Sequence, residues 1–226
     1  MLEILLSGGW LMLPILLCSV IALAIIAERF YALSAKRVVS EDARKLARRC
    51  ALQPTVSAEQ LQALKNDSPL GRVLAAGLAN RGVPRDVLRE AVEEAGRHEV
   101  HGLNRFLNAL GTIAAITPLL GLLGTVIGMI SVFATITSVG VGSPTALAGG
   151  ISQALMTTAA GLFVAIPALV FSRYFHRRVD DLVVSMEKEA LHLVQTMLDP
   201  DTRAAARHAR SEPGSRRRVT PSSVGQ

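Results

Sequence analysis

Aromatic residues are scarce in this chain of 226 residues: six Phe, two Tyr and one Trp, or 4%. The chain is basic, with a net charge of +6 and a pI of about 10.0. A basic nucleic-acid binder sets its Lys and Arg in a patch beside stacking rings. Here rings are few and the basic residues are segregated along the chain, so nucleic-acid binding is excluded. Cysteine is also scarce. Cys18 lies in an apolar run and Cys50 in a basic segment, which leaves no disulfide or metal framework. Catalytic signatures are missing: there is no Ser-His-Asp elbow, no HExxH and no phosphate loop. Gly121-Leu-Leu-Gly124-Thr125 is glycine-rich but lacks the Lys of a nucleotide loop. His98 and His101 accompany Glu94 and Glu99 on a predicted amphipathic helix, but nothing completes a metal site, so they read as surface or interfacial residues. The chain is not predicted to be an enzyme or to carry a cofactor.

The most informative absence is charge. From Phe106 to Ser172 there is no Lys, Arg, Asp or Glu. A membrane-spanning helix needs about 20 apolar residues, so this stretch accommodates two. Between them, Thr137-Ser-Val-Gly-Val-Gly-Ser-Pro144 is rich in Gly, Ser and Pro and reads as a turn. A second uncharged run extends from Ile4 to Ala27 and ends at Glu28-Arg29. Its short leading segment has Glu3 and no Lys or Arg, and the run is longer than the core of a cleaved leader. It is predicted to be a retained first span, with Trp10 and Phe30-Tyr31 as interfacial anchors and Pro14 near its start. The hydrophobic fraction of 50% and mean hydropathy of +0.38 fit a membrane protein with a soluble portion.

Basic residues set the orientation. Residues 32–108 hold thirteen Lys and Arg, residues 173–226 hold ten, and Arg29 completes the 24. The segment before the first span and the hairpin turn hold none. By the positive-inside rule the N-terminus and the turn face outward, and the central segment and C-terminus are cytoplasmic.

The fold class is all-α: a polytopic membrane protein with three transmembrane helices, the second and third extended into the cytoplasm. The first span lies within 1–31, a cytoplasmic helical domain covers 32–105, and the second span covers 106–137. A loop at 138–147 leads to the third span, 148–172, its cytoplasmic extension, 173–199, and a disordered basic tail, 200–226. In the cytoplasmic domain, Ala43, Leu46, Ala47 and Cys50 recur at helical spacing. Ser57-Ala-Glu-Gln60 predicts a capping box. Leu70, Val73, Leu74 and Leu78 form an apolar stripe. No breaker except Gly102 and Gly111 separates a helix over 85–107 from the second span, which predicts one rod. The periodic residues Val179 to Leu198 predict that the third span also continues, and that the two extensions pack together. The tail, with Arg216-Arg217-Arg218, reads as a solvated segment that helps fix topology.

The hairpin is not a plain anchor. Gly121, Gly124 and Gly128 line one side of the second span. Gly150, Ala154, Thr157 or Thr158, Gly161 and Ala165 recur at three or four residues in the third. Small residues at such spacing let helix backbones approach closely. Pro118 and Pro167 loosen local helix bonding. Thr125 and Thr158 lie near mid-depth. Their position leaves two roles open: a hydrogen bond to a carbonyl three or four residues back, or the lining of a polar path. Gln153 is costly to expose to lipid and is expected to face an interior. The hairpin has no acid at all, whereas a proton path ordinarily needs an intramembrane Asp, Glu or His. If protons move here, a partner must supply the acid.

The stretch from Gly111 through Pro118, Gly121, Gly124-Thr125 and Gly128, followed by Gly149-Gly150-Ile151-Ser-Gln153-Ala154 through Thr157-Thr158, Gly161, Ala165 and Pro167, resembles the core signature of the MotA/TolQ/ExbB proton-channel family. Gly8-Gly9-Trp10, Pro14 and Glu28-Arg29 are similar to its first span. The resemblance covers all but the tail. Three spans and this length resemble the ExbB and TolQ branch, since flagellar stator subunits have four spans. Ile127 stands where TolQ members tend to carry an aromatic, and the turn before Gly149-Gly150 looks closer to ExbB-like members.

The resemblance implies a bacterial inner-membrane protein with a periplasmic N-terminus and a cytoplasmic C-terminus. It implies a pentamer around an ExbD- or TolR-like one-span protein whose membrane Asp carries the proton. Proton-motive force would drive motion that energises a TonB-like or TolA-like protein. A TolQ-like role in envelope integrity, and a non-conducting membrane scaffold, are the alternatives. The family's functional threonines fall on Thr125 and Thr158, with Gln153 beside them on the path. The best-known ExbB and TolQ proteins carry Glu at that last position. An amide there can orient water or hold a helix contact.

Overall fold

The computed structural model describes residues 9–53, 55–139 and 144–198, all of them helical or in short connections. The expected tail from 200 onward and the middle of the expected hairpin loop, 140–143, lie outside the described residues. The helices are α1 (Met12–Ala32), α2 (Ala35–Val38), α3 (Glu41–Leu52), α4 (Ala58–Asp67), α5 (Pro69–Ala79), α6 (Arg85–Leu103), α7 (Leu107–Val139) and α8 (Pro144–Leu198). Three stretches are long and apolar enough to cross a membrane: Met12–Ala32, Arg85–Thr137 and Leu147–Leu198. The protein is an all-α, polytopic membrane protein. α7 and α8 reach Val139 and Pro144, so helix takes up residues at both ends of the turn read from sequence.

The chain forms two compact units. The first joins residues up to Ala35 with Val100–Val183, and the second joins Lys36–Glu99 with Val184 onward.

In the second unit the caps are legible in the residues that make them. Ser40 accepts from the Ala43 N–H at the start of α3. Ser57 and Gln60 form the full reciprocal capping box at α4, as predicted. Ser68 accepts from Gly71 N–H at 3.1 Å, and Pro69 takes the first position of α5, where its missing N–H costs nothing. α5 is the centre of this unit: Leu70, Val73, Leu74, Ala75 and Leu78 are buried, with Leu64 of α4. Gly71 lets α5 meet the Leu64 carbonyl. A Cβ on Gly77 would lie 3.2 Å from Val92 of α6 and 3.6 Å from Leu193 of α8. At this level α5 lies against both extensions, and its small residue Gly77 admits both neighbours.

Arginines tie the second unit together. Arg81 donates to the carbonyls of Cys50, Ala51 and Gln53 at the C-terminus of α3, where the helix runs out of its own donors; the Cys50 carbonyl also accepts from the Gln53 N–H at 3.2 Å. Burial pushes the neighbouring Cys50 thiol up, and the Arg81 charge partly offsets this. Arg72 grips Glu99 with two bonds of 2.6 Å, and Glu99 is only 8% exposed. Arg44 and Arg48 flank Glu189 at 3.4 and 3.5 Å.

In the first unit, α8 runs unbroken past Ser172, as predicted. α6 and α7 do not make one rod. The chain turns at 104–106, and Phe106 has φ +63°, in the left-handed region. Asn104, Arg105 and Phe106 include neither Gly nor Pro, and Gly102 just before them is the one weak signal in the sequence for this interruption. Tertiary contacts impose it. Arg29, 5% exposed, donates to the Leu103 carbonyl at 3.1 Å, where α6 ends. Glu28 holds the same guanidinium through both carboxylate oxygens. The Arg29 and Arg105 guanidinium carbons lie 5.7 and 4.6 Å from the Phe106 ring centroid, within cation–π range. A non-glycine residue held in a sparsely populated region costs on the order of 1–3 kcal/mol, and these contacts offset it.

Arg72→Met leaves Glu99 buried without its cation. It should destabilise the chain by about 1–2 kcal/mol, the lower part of the range for a charged hydrogen bond because Arg72 is itself half-exposed. The double variant Arg72→Met/Glu99→Leu should recover most of that loss. Thermal unfolding of the detergent-solubilised chain, monitored by circular dichroism, checks both.

Candidate functional site

α7 and α8 meet along an antiparallel seam built from small residues. A Cβ on Gly161 would stand 2.8 Å from the Thr117 carbonyl, and one on Gly121 would stand 3.0 Å from Thr158 Cα. Gly124 faces the Thr157 side chain. On Gly128 a Cβ would meet Ala154 Cβ at 2.7 Å, and on Gly150 it would meet Val132 Cγ2 at 2.6 Å. Each glycine therefore admits a part of the opposite helix that no larger residue could. In lipid, helix pairs have little hydrophobic driving force and depend on such close contact. The five glycines singled out from sequence all lie on this seam. Thr117 and Thr157, 0% and 1% exposed, are the hydroxyls inside it. In the sequence Thr157 stands only as an alternative to Thr158 in the small-residue row. Its spacing of four from Gly161 was the available signal.

The candidate threonines sit at the margin of the seam, both half-buried. Successive residues on a helix turn by about 100°. Thr125 follows Gly124, and Thr158 follows Thr157, across a contact between antiparallel helices. One step along each helix therefore rotates toward the same edge of the pair. The structure bears this out at Thr158, whose hydroxyl donates across to the Gly121 carbonyl of α7 at 2.9 Å. Thr125 stands one turn beyond Gly121 and donates to the Leu122 carbonyl of its own helix at 2.6 Å. Of the two roles left open by position, the local carbonyl bond is found at Thr125 and not at Thr158.

Gln153 is placed elsewhere. It is exposed in the single chain, and its side-chain amide lies against Gly9, which has φ +73°. Gly9 is needed twice over at this point, for its left-handed backbone and for the space that the amide takes. Gln153 and Phe171 are separated by about five helical turns, so they share a face of α8. Phe171 meets Phe30 of α1 edge-on at 5.6 Å, and Phe30 also meets Phe175 at 5.0 Å. α1 thus runs along this edge, with Gly9 near one end and Phe30 at the other. Thr125 and Thr158 occupy the opposite edge of the pair. The structure brings the two threonines to one edge and separates Gln153 from them.

Pro118 is half-buried and Pro167 is exposed, both inside continuous helix. The Thr117 hydroxyl donates to the Ile113 carbonyl at 2.5 Å beside Pro118. Among the described residues no group of three or more His, Cys, Asp and Glu could hold a metal ion. Thr125 and Thr158 bring hydroxyls to this edge, and residues 106–172 bring neither an acid nor a base.

A helical hairpin free of Lys, Arg, Asp and Glu, closed by glycines and edged by two threonines, is the membrane core of this three-span protein. The model of the MotA/TolQ/ExbB proton channel family matches residues 65–188, and the chain belongs to that family. Two of its relatives are putative biopolymer transport proteins of Synechocystis sp. ExbB-like 3 is 37% identical over 179 residues, which are 75% of this chain and 81% of the relative. ExbB-like 1 is 36% identical over 176 residues, 76% of this chain and 69% of the relative. The biopolymer transport protein exbB1 of Vibrio cholerae is 30% identical over 183 residues, 79% of this chain and 80% of that protein.

Gly161→Ala should destabilise the hairpin by about 1–3 kcal/mol, because the Thr117 carbonyl is backbone and cannot rotate away. Gly149→Ala, where nothing lies within 4 Å, should be neutral or slightly stabilising. Melting temperatures of the two variants in detergent check the contrast.

Proposed function

We propose that this chain is the proton-channel scaffold of an ExbB/ExbD-type inner-membrane motor. The observation that carries the reading is the pairing of Thr125 and Thr158 on one edge of a hairpin that contains no acid, in a member of a proton-channel family. That edge lies opposite α1, so it is open to a helix from another subunit. Several copies of the chain, by family analogy five, surround the single spans of an ExbD- or TolR-like protein. The membrane Asp of that partner carries the proton past Thr125 and Thr158. The chain's own residues supply the wall, the hydroxyls and the exclusion of lipid. Gln153 serves the path indirectly, by holding the Gly9 turn against α8.

The orientation follows from charge. The N-terminus and the loop expected over 138–147 face the periplasm, and the Lys- and Arg-rich segments face the cytoplasm, where the rule of positive-inside segregation puts them. The work of proton passage goes to a TonB-like protein that reaches the outer membrane. The three ExbB-named relatives, each aligned over about three quarters of this chain, support that branch.

Proton flux into liposomes that hold this chain together with its one-span partner tests the reading. Flux that needs the partner's Asp is expected. Normal assembly without flux, with that Asp intact, would make the complex a non-conducting scaffold. Thr158→Val should cut flux at least tenfold while lowering stability by only about 0.6 kcal/mol, the usual worth of a hydrogen bond between membrane helices. A silent Thr158→Val would make this residue part of the packing alone.

A further inference from the structure

We propose that the break between α6 and α7 is one of two states of the same residues, and that Arg29 of α1 is the latch that selects it. In the other state residues 85–139 form one continuous helix. The proposal stands on the backbone around Phe106 and does not depend on proton passage.

The Leu103 carbonyl has two competing donors. In a continuous helix it would accept from the N–H four residues on, that of Leu107. Here the Leu107 N–H goes to the Asn104 carbonyl at 3.1 Å, and the Leu103 carbonyl accepts from the Arg29 guanidinium at 3.1 Å. The Arg105 N–H is likewise diverted to the Gly102 carbonyl at 3.3 Å. Among the described residues the N–H groups of Asn108 and Ala109 meet no backbone carbonyl. The carbonyls of Asn104 and Arg105 would take both if the helix ran through.

Local chemistry therefore favours the continuous form. Residues 100–110 hold no Pro and one Gly. Straightening restores the i to i+4 bonds and releases Phe106 from φ +63°. A single side chain from another helix opposes this, through the Leu103 carbonyl and the Phe106 ring, on which Arg105 also stacks. Conflict between local preference and the adopted conformation is concentrated at strained and functional positions. Release of the latch leaves no bare buried cation, because Glu28, half-exposed, holds Arg29 through both carboxylate oxygens and moves with it on α1. The two states thus differ by an exchange of a few bonds, the condition for a bistable element.

The latch is set by the position of α1. Phe30, next to Arg29, is seated among Phe171, Tyr174 and Phe175 of α8. A slide of α1 by about 1 Å would carry the Arg29 bond beyond hydrogen-bonding distance. Straightening would then re-set the phase at which the chain enters α7. A small shift of one span is in this way converted into a discrete change in another.

A histidine clip tests the proposal on the purified full chain. Asn104 is half-buried and Asn108 exposed, and in a continuous helix they would stand at i and i+4 on one face. Asn104→His with Asn108→His would hold a Ni²⁺ ion only when the helix runs through Phe106, so apparent affinity reads the continuous fraction. With no further change, Ni²⁺ should bind no more tightly than to either single His variant. Adding Arg29→Gln should tighten binding at least tenfold. Adding Phe106→Ala instead should also tighten it at least tenfold, since alanine favours helix and disfavours positive φ. Phe106→Gly removes the same ring but accepts positive φ, and should bind at least tenfold more weakly than Phe106→Ala. This pair separates the latch from mere loss of ring packing and serves if Arg29→Gln fails to fold. Equal Ni²⁺ affinity in the Ala and Gly variants overturns the proposal. So does an unchanged affinity in an Arg29→Gln chain that keeps its helical circular dichroism, and so does tight clip binding with Arg29 and Phe106 both in place.

Discussion

Two helix backbones can touch only where neither helix carries a side chain on the facing surface. The seam of α7 and α8 meets that condition at Gly121 and Gly161, while Gly124, Gly128 and Gly150 make room for Thr157, Ala154 and Val132, and the remaining features of the membrane unit follow from this fit. Close approach brings the Gly121 carbonyl within reach of Thr158. It fixes the rotational phase of both helices, and this phase sends Thr125 and Thr158 to one edge and Gln153 to the other. α1 then has a single edge to occupy, where Phe30 meets Phe171 and Phe175. A larger residue at one seam glycine would alter distance and phase together, so the edge and its hydroxyls depend on atoms that are not there.

The two units of the chain are held by different means, because their surroundings differ. The membrane unit gains little from apolar burial, since lipid is as apolar as the helices, and it relies on contact and on hydroxyl-to-carbonyl bonds. The second unit buries Leu64, Leu70, Val73, Leu74 and Leu78 away from water, each worth about 1.5–3 kcal/mol relative to exposure. It fixes its helix ends with Ser40, Ser57, Ser68 and Arg81. Charge is paired throughout it, at Arg72 with Glu99 and around Glu189. In the membrane unit Arg29 is paired with Glu28 at the foot of α1.

Much of this was legible in the sequence, for physical reasons that can be named. Absence of charge over 106–172 and of any breaker after Ser172 gave the spans and the long α8. Serine and glutamine at a spacing of three gave the cap of α4. Glycines at intervals of three and four gave the seam, since nothing but close packing explains them in lipid. Three features were not legible. The break at Phe106 comes from Arg29, which is distant in sequence, and no residue at 104–106 announces it. Insertion of α5 against both α6 and α8 depends on the single small residue Gly77, whose neighbours no periodicity reveals. Gln153 shares a span with Thr158, and only the combined phase of two helices separates them. Local rules read one helix at a time, whereas these features are set between helices.

Arg29 also has a history within the life of the chain. Its carbonyl partner, Leu103, lies 74 residues further on, and synthesis proceeds from the N-terminus. When α1 first meets the membrane, the end of α6 has not been made. At that stage Arg29 is a cation at the margin of a span, of the kind that sets orientation, with only Glu28 beside it. Later the same guanidinium is drawn inside to close the end of α6. One residue is thus spent first as an address and afterwards as a fastener, and replacing it would disturb biogenesis and the finished molecule by separate routes.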